Sequence, residues 1–350
     1  MQPRVTINLV VMNGEKYIRH CLDSILKQTF LDFEVNILDN ASTDKTLEIA
    51  REYSSHDSRF MIHDSSVNLG TWGGFEELLK FSLGKYIVCQ SVDILLDPDF
   101  LKNAVLEMEK DEKIGALQPK VLRWYFKNGK PEFTNFIDTL GFKIFKSRRV
   151  INFGHGETDR PDFNQKREIF GVEGAVPVFR KIAFEDCRIL VLGLPPHSQR
   201  ECGGEIMDHD MWWYGDDIDL AWRMRLFGWK EIYAPNVLAY HDRSTTHGLS
   251  KDKRDFIKMR REIPIRKRRL DYRNTILTFI KNDYLSNIIK DAPAIFVRQI
   301  GLWAYFTIYE PSMYLELFNI CKLLPIMLKK RREVMRKAKV SPREMRKWFD

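Results

Sequence analysis

Residues 5–11, VTINLVV, place apolar or β-branched side chains on both faces of an extended chain. That pattern predicts a strand buried from both sides, as in a parallel sheet. After a short polar loop, Tyr17, Ile18, Cys21, Leu22, Ile25 and Leu26 recur at helical spacing. FEVNILDN (33–40) predicts a second strand, a helix runs from near Asp44 through Tyr53, and FMIHDS (60–65) predicts a third strand. The glycine-rich loop 68–74 opens a helix expected over Phe75 to Leu83, and KYIVCQSVDILL (85–96) predicts a fourth strand running through Asp93. Pro98 starts a further helix to Met108. Strands and helices alternating at this interval predict right-handed βαβ units and an α/β fold around a mostly parallel sheet. Ligands of such sheets bind at the carboxyl ends of the strands, where Asp39 and Asp93 fall.

The next stretch is less regular. A strand is expected near Gly115–Arg123, then a mobile charged insertion, then a strand running into a helix over 171–181. A strand over 231–241 delivers His241 to its end. Between them, Tyr214-Gly215-Asp216-Asp217-Ile218-Asp219 puts three carboxylates within four residues, directly before a helix-compatible run closed by Gly228. Acids in a first helical turn are favoured by the free N–H groups and the dipole, so a cap is one reading. Three crowded acids behind Trp212-Trp213-Tyr214 point instead to a cation or proton-transfer role. The aromatics themselves suit either stacking on a sugar or core packing.

Charge divides the chain. The net +8 conceals a tail from Lys251 with 25 Lys and Arg against 11 Asp and Glu, a net of +14, whereas the first 250 residues carry −6. Residues 1–250 are therefore read as one domain and 251–350 as a helical, basic and amphipathic extension. Large apolar residues alternate with the basic ones there, as in a helix lying in an acidic membrane surface; packing on the first domain with a solvated basic face is the other reading. No stretch reaches about 18 uninterrupted apolar residues, so no membrane span is expected, and no export signal is read at the start. The five scattered cysteines show no CxxC and suit a reducing cytosol. Nucleic acid is not expected as a partner, because no recognition motif accompanies the charge.

DNASTD (39–44), NLGTWGG (68–74), an acid at the end of the fourth strand, YGDDIDLAWR (214–223) and AYH (239–241), in this order, resemble the family 2 glycosyltransferases of GT-A fold. The rhamnosyltransferase-like enzymes of bacterial cell-surface polysaccharide synthesis are the most similar subgroup, and YRN (272–274) extends the likeness into the tail. The resemblance implies an inverting transfer from a UDP- or dTDP-sugar, dTDP-rhamnose among them, to a hydroxyl of a glycan, free or linked to a polyprenyl diphosphate. It implies Asp217 as general base, with Asp216 assisting. Asp39 would accept the N3–H of a uracil or thymine ring, although an Asp there also caps its own turn readily. Asp44 suits an N-cap better than a ligand contact. Asn68, Gly70 and Gly74 would line the nucleotide, with Phe75-Glu76 departing from the family pattern.

Asp93 and His241 would hold Mg²⁺ or Mn²⁺, with Ser91 a poorer ligand where the family has an acid or Asn. Without the family, His241 reads as a partly buried imidazole. His247 is a further phosphate candidate. Glu173, Gly174, Trp213, Asp219 and Arg223 would contact substrate. The implied site of action is the cytoplasmic face of the plasma membrane, peripherally bound. The alternative is a non-catalytic nucleotide-sugar- or membrane-binding protein whose metal site has decayed at Ser91.

Overall fold

A computed structural model describes residues 2–190, 204–211, 213–243, 260 and 263–350. Trp212, His247 and the expected domain boundary at 250 lie outside them. Strands β1 (Val5–Val11) and β2 (Phe33–Asn40) are buried along their whole length, as their two-sided apolar pattern requires. With β3 (Phe60–Ser65) and β4 (Tyr86–Ser91) they form a parallel core in the order β3-β2-β1-β4. Helices α1 (Ile18–Leu26), α2 (Thr46–His56) and α3 (Thr71–Leu79) make the crossovers. The register aligns Val11 with Asp39, and Asp39 with Asp64, so the acids that end these strands share one rim.

Two expectations change here. The stretch 85–96 is not one strand: β4 stops at Ser91, Val92 and Asp93 turn, and β5 (Ile94–Leu96) pairs elsewhere. The turn is anchored by the Asp93 carbonyl, which accepts from the Asp242 N–H and the Trp124 indole. Helix α3 begins at Thr71, four residues before Phe75, because Gly70 at φ 73° turns the chain directly into it.

Helix α4 (Phe100–Glu109) leads into the second half of the sheet. The strand expected near Gly115–Arg123 is β6 (Ile114–Lys127), and the charged insertion expected after it begins instead as the second arm of a long hairpin, β7 (Lys130–Thr139). Asn128 and Gly129 form its tip with φ of 51° and 76°, and Asn-Gly is the pair that such two-residue turns demand. A small pair, β8 (Phe142–Ile144) and β9 (Val150–Asn152), stands apart, and β10 (Arg167–Glu168) edges the main sheet. β11 (Val178–Arg180) enters antiparallel between β4 and β6 and continues into α5 (Lys181–Asp186). After α6 (Asp216–Leu226), β12 (Lys230–His241) runs parallel to β6 and antiparallel to β5. That last pairing sets His241 opposite Ile94, next to Asp93.

The tail comprises α7 (Ile265–Asn282), α8 (Leu285–Lys290), α9 (Ala292–Tyr309), α10 (Leu315–Lys337) and α11 (Pro342–Arg346). It packs on the first domain: Phe279, Val334, Met345 and Phe349 share one apolar core with Trp222, Leu226 and Phe227. Buried charge reinforces the contact. The Lys330 ammonium is fully buried among Glu205, Asp208 and Asp210, and Lys281 bonds Asp208 and Asp219. One face of α9 and the start of α10 stays bare, with Phe296, Val297, Ile308 and Phe318 exposed, Phe318 to 74%. No described helix is long and apolar enough to cross a membrane.

Candidate functional site

The carboxyl ends of β1, β2 and β4 open into a cleft of about 440 Å³ lined by Met12, Asn40, Asn68, Gly70, Ser91, Asp93 and Trp213, among others. Asn68 shapes its wall, because its Oδ1 accepts from Asn40 Nδ2 at 3.0 Å and from the Gly70 N–H at 2.8 Å. Asp39 lies buried at the end of β2. One of its oxygens accepts from the Ser42 N–H at 3.2 Å, which is the turn cap, and the other is buried with no hydrogen-bond partner among the described residues. An unpaired buried acceptor is costly, and a ligand N–H would satisfy it. Gly74 is placed differently from expectation. It faces the sheet, where an added Cβ would stand 2.8 Å from Val10 Cγ1, so its role is the close approach of α3 to β1.

At the cleft floor, His241 Nε2 stands 3.3 Å from Asp93 Oδ2, and His241 Nδ1 lies 2.8 Å from Asp138 Oδ2. Burial alone would lower the imidazole pKa, but the two carboxylates raise it to about 10. Burial would raise Asp93, and the facing imidazolium holds it below the usual carboxylate range instead. A carboxylate and an imidazole at one point, the imidazole fixed from behind by a second carboxylate, match the donor set of a divalent-ion site. Asp93 and His241 therefore fit the metal that the sequence implies. Glu205, Asp208 and Asp210 also bring carboxylate oxygens within 4.8 Å of one another. That cluster is already filled by the Lys330 ammonium, so its cation belongs to the protein.

Asp138 continues the line. It receives both Arg243 Nε at 2.8 Å and Nη2 at 2.9 Å, and Arg243 Nη2 also reaches Glu173 Oε1 at 2.7 Å. Glu173 opens on a second cavity of about 310 Å³ that includes Tyr214, Asp217, Arg243, Lys267, Arg268 and Asp271 in its walls. Asp217 lies in the first turn of α6 there, and the Gly174 N–H donates to its Oδ2 at 3.3 Å. Burial, with Glu173 nearby, pushes the Asp217 carboxyl up to about 7.

Asp216 lines neither cavity. It is buried, accepts from the Asp217 N–H, and is held well above the ordinary carboxylate range by burial and by Asp217. Asp219 and Arg223 do not meet substrate space. Both are fully buried, bonded to each other at 2.8 and 3.0 Å, and Asp219 also accepts from Asn282 at 2.6 Å. They tie α6 to α7. Trp213 does reach the first cleft and is 41% exposed.

The loop before α6 carries two successive left-handed residues, Tyr214 at φ 66° and Gly215 at φ 79°. For tyrosine this conformation costs about 1–3 kcal/mol. Asn274 of α7 holds it: its Nδ2 lies 3.0, 2.7 and 2.6 Å from the carbonyls of Met211, Trp213 and Tyr214. Asn274, Asp138 and Arg243 are site residues that the sequence reading missed. The signals present were YRN (272–274) and the Arg two residues beyond His241. Glu76, read as a departure in the loop motif, accepts from the Ile206 N–H at 2.8 Å and meets His209 Nε2 at 2.9 Å, fastening α3 to the 204–209 segment.

The sequence profile of "Glycosyl transferase family 2" matches residues 6–186. Among curated relatives, a poly-beta-1,6-N-acetyl-D-glucosamine synthase of Staphylococcus epidermidis is 23% identical over 239 residues, 67% of this chain and 49% of that protein. A chondroitin synthase of Pasteurella multocida is 33% identical over 115 residues, 33% of this chain and 12% of that protein. An uncharacterized glycosyltransferase of Haemophilus influenzae is 30% identical over 115 residues, 33% of this chain and 36% of that protein. Each match spans less than half of the relative's length. Among solved structures, S. aureus TarS 1-349 in complex with UDP aligns with a TM-score of 0.54 and 15% identity over 95% of this chain and 88% of that one. GalNAc-T7 with UDP, GalNAc and Mn²⁺ aligns with a TM-score of 0.56 and 12% identity over 79% of this chain and 47% of that one. At these identities the likeness is one of fold, and it bears out the expected GT-A architecture.

Proposed function

Because the chain belongs to glycosyl transferase family 2, we propose that it moves a sugar, with inversion, from a UDP- or dTDP-linked donor, dTDP-rhamnose included, to a hydroxyl of a glycan. The acceptor is free or carried on a polyprenyl diphosphate. The observation that carries the reading is the bonded line Asp93–His241–Asp138–Arg243–Glu173, which runs from the floor of one cavity to the wall of the other. It couples a place for a nucleotide diphosphate to a place for an acceptor, with Asp217 beside the second.

In this reading the unpaired oxygen of Asp39 accepts the base N3–H, and Asn68 and Gly70 border the nucleotide. Trp213 offers a face to the donor sugar. The acceptor oxygen attacks the anomeric carbon, its proton passes to Asp217, and the diphosphate leaves from the opposite side. A carboxylate suffices because the proton moves late, when the hydroxyl has become acidic, and a base with a pKa near the working pH is best matched to that task. Held by Asp93 and His241, Mg²⁺ or Mn²⁺ would neutralise charge on the departing diphosphate. The non-catalytic alternative rests on Ser91 standing where the family has an acid, and the Asp93–His241 pair argues against it.

The tail suits a peripheral position on the cytoplasmic membrane face, since its bare apolar face is flanked in sequence by the basic stretches 251–290 and 329–350. The test is calorimetry with UDP and dTDP with and without Mn²⁺, followed by donor turnover in Asp217→Asn. The expected result is metal-enhanced binding in both proteins and a turnover about 10²–10⁴-fold lower in the variant. Binding indifferent to Mn²⁺ would favour the non-catalytic reading, and unchanged turnover would remove Asp217 as base.

A further inference from the structure

The second cavity is unusually rich in cations for a space meant to take a neutral hydroxyl. Arg243, Arg260, Lys267 and Arg268 all contribute to its walls, against Glu173, Asp217 and Asp271. The cations are not equivalent. Arg243 is committed to Asp138 and Glu173. Arg268 is bonded to Glu310, and Tyr305 also donates to that carboxylate. Lys267 has no ion pair among the described residues, and its ammonium sits 4.3 Å from the centre of the Tyr214 ring. Arg260 pairs with the same Glu310 carboxylate at 3.6 Å through its Nε, and that buried N–H still lacks a hydrogen-bond acceptor among the described residues. A half-buried ammonium without an ion pair among the described residues and a buried guanidinium N–H without an acceptor are both costly, and oxygens of one anion in this cavity would serve both.

We propose that this cavity is an anion subsite, and that the acceptor bears a phosphate or diphosphate group seated on Lys267 and Arg260, with the Tyr214 ring as its floor. The proposal rests on the reading of Asp217 as the base, since it makes this cavity the acceptor's. A phosphate is favoured over a carboxylate because it carries more charge and more acceptor oxygens for a group of separated donors. The same subsite explains why Tyr214 is kept in a strained conformation: the strain presents its ring to Lys267 one step before the base. It also gives the tail a part in substrate choice, because Lys267 and Arg268 lie on α7.

The phosphate has two chemical sources, a lipid diphosphate or a phosphate within the glycan. Trace acetylation of the wild-type chain by acetic anhydride, with Lys267 followed by peptide mass spectrometry, reads the subsite directly and needs no turnover. The probes are inorganic pyrophosphate, methyl phosphate, farnesyl diphosphate and, as the donor-side control, UDP with Mn²⁺. Phosphate probes at about 10 mM, tenfold above a millimolar Kd, are expected to cut Lys267 labelling about tenfold, with UDP leaving it unchanged. Farnesyl diphosphate acting at far lower concentration than pyrophosphate identifies a lipid-linked acceptor, and equal potency identifies a phosphate-bearing glycan. In Lys267→Gln, pyrophosphate binding by calorimetry is expected to fall at least tenfold with UDP affinity kept. No protection by any phosphate probe, or equal protection by UDP, overturns the proposal. Failure of UDP to bind at all would instead strike the donor reading, so the two fail separately.

Discussion

Replacing Lys330 by Met removes a cation and keeps most of the volume of the side chain. Lys330 is fully buried, its ammonium 2.5 Å from Glu205 and 2.7 Å from Asp210 and also bonded to Asp208. Without it the three carboxylates lose the buried ammonium they share, while Asp208 keeps Lys281. Breaking a buried pair by removing one partner costs about 3–5 kcal/mol. For a 350-residue chain, at about 2.1 cal/mol/K per residue, the unfolding entropy near the midpoint is about 0.7 kcal/mol/K, so Tm should fall by about 5 °C. The loss should also depend on pH. In the wild type burial would raise Asp208, but the Lys281 and Lys330 ammoniums hold it far below the usual range. Its contribution is therefore constant between pH 7.5 and 5.5 and is lost only as pH falls below the unfolded value near 4. In the variant the buried cluster is one cation short, and its carboxyls hold protons well above that value. The native state then binds more protons than the unfolded chain, and its relative stability rises as pH falls. Melting curves of both proteins at pH 7.5 and 5.5 should show the deficit shrinking at the lower pH. A loss below about 1 °C, or the same loss at both pH values, would refute the view that Lys330 stands in for a cation here.

The transfer rate at low substrate should fall about tenfold per pH unit below about 7, because Asp217, raised to about 7 by burial and Glu173, must be ionised to accept a proton; a profile flat down to pH 5 would contradict this. Gly174→Ala places a Cβ 3.0 Å from Trp72 Cζ2 and 3.3 Å from Asp217 Oδ2, so kcat should drop by about 10²-fold with little change in Tm, as expected when a catalytic group is displaced by about 1 Å. Asn274→Ala removes the donor that meets three loop carbonyls and should lower stability by about 1–3 kcal/mol, read by urea denaturation. Asp39→Ala should weaken UDP binding by about tenfold, measured by calorimetry, if its unpaired oxygen meets the base.

The parallel core was readable because β1 and β2 are buried on both faces, and that leaves a run no other element produces so economically. The meeting of Asp93 and His241 was readable because Asp93 falls just past the end of β4 and His241 ends β12, and such positions share a rim. Asp138 was not readable. It sits on β7, inside a stretch whose charge suggested an insertion, and the Asn128-Gly129 turn that defines the hairpin was passed over. The acid cluster at 216–219 misled in part, since adjacency in sequence hid opposite fates: Asp217 opens on a cavity, whereas Asp219 is sealed against Arg223, Asn282 and Lys281. The role of Lys330 could not be read at all. Its partners lie more than a hundred residues earlier, and nothing local distinguishes it from the basic residues around it.

The uncovered side of α9 and α10 has a practical corollary for whoever purifies the protein. Phe296, Val297, Ile308 and Phe318 offer greasy purchase to any phase boundary: a tube wall, an air bubble, a neighbouring molecule at high concentration. Mild surfactant should sharpen the elution peak in gel filtration, and specks of aggregate should grow fastest in shaken, half-filled vessels.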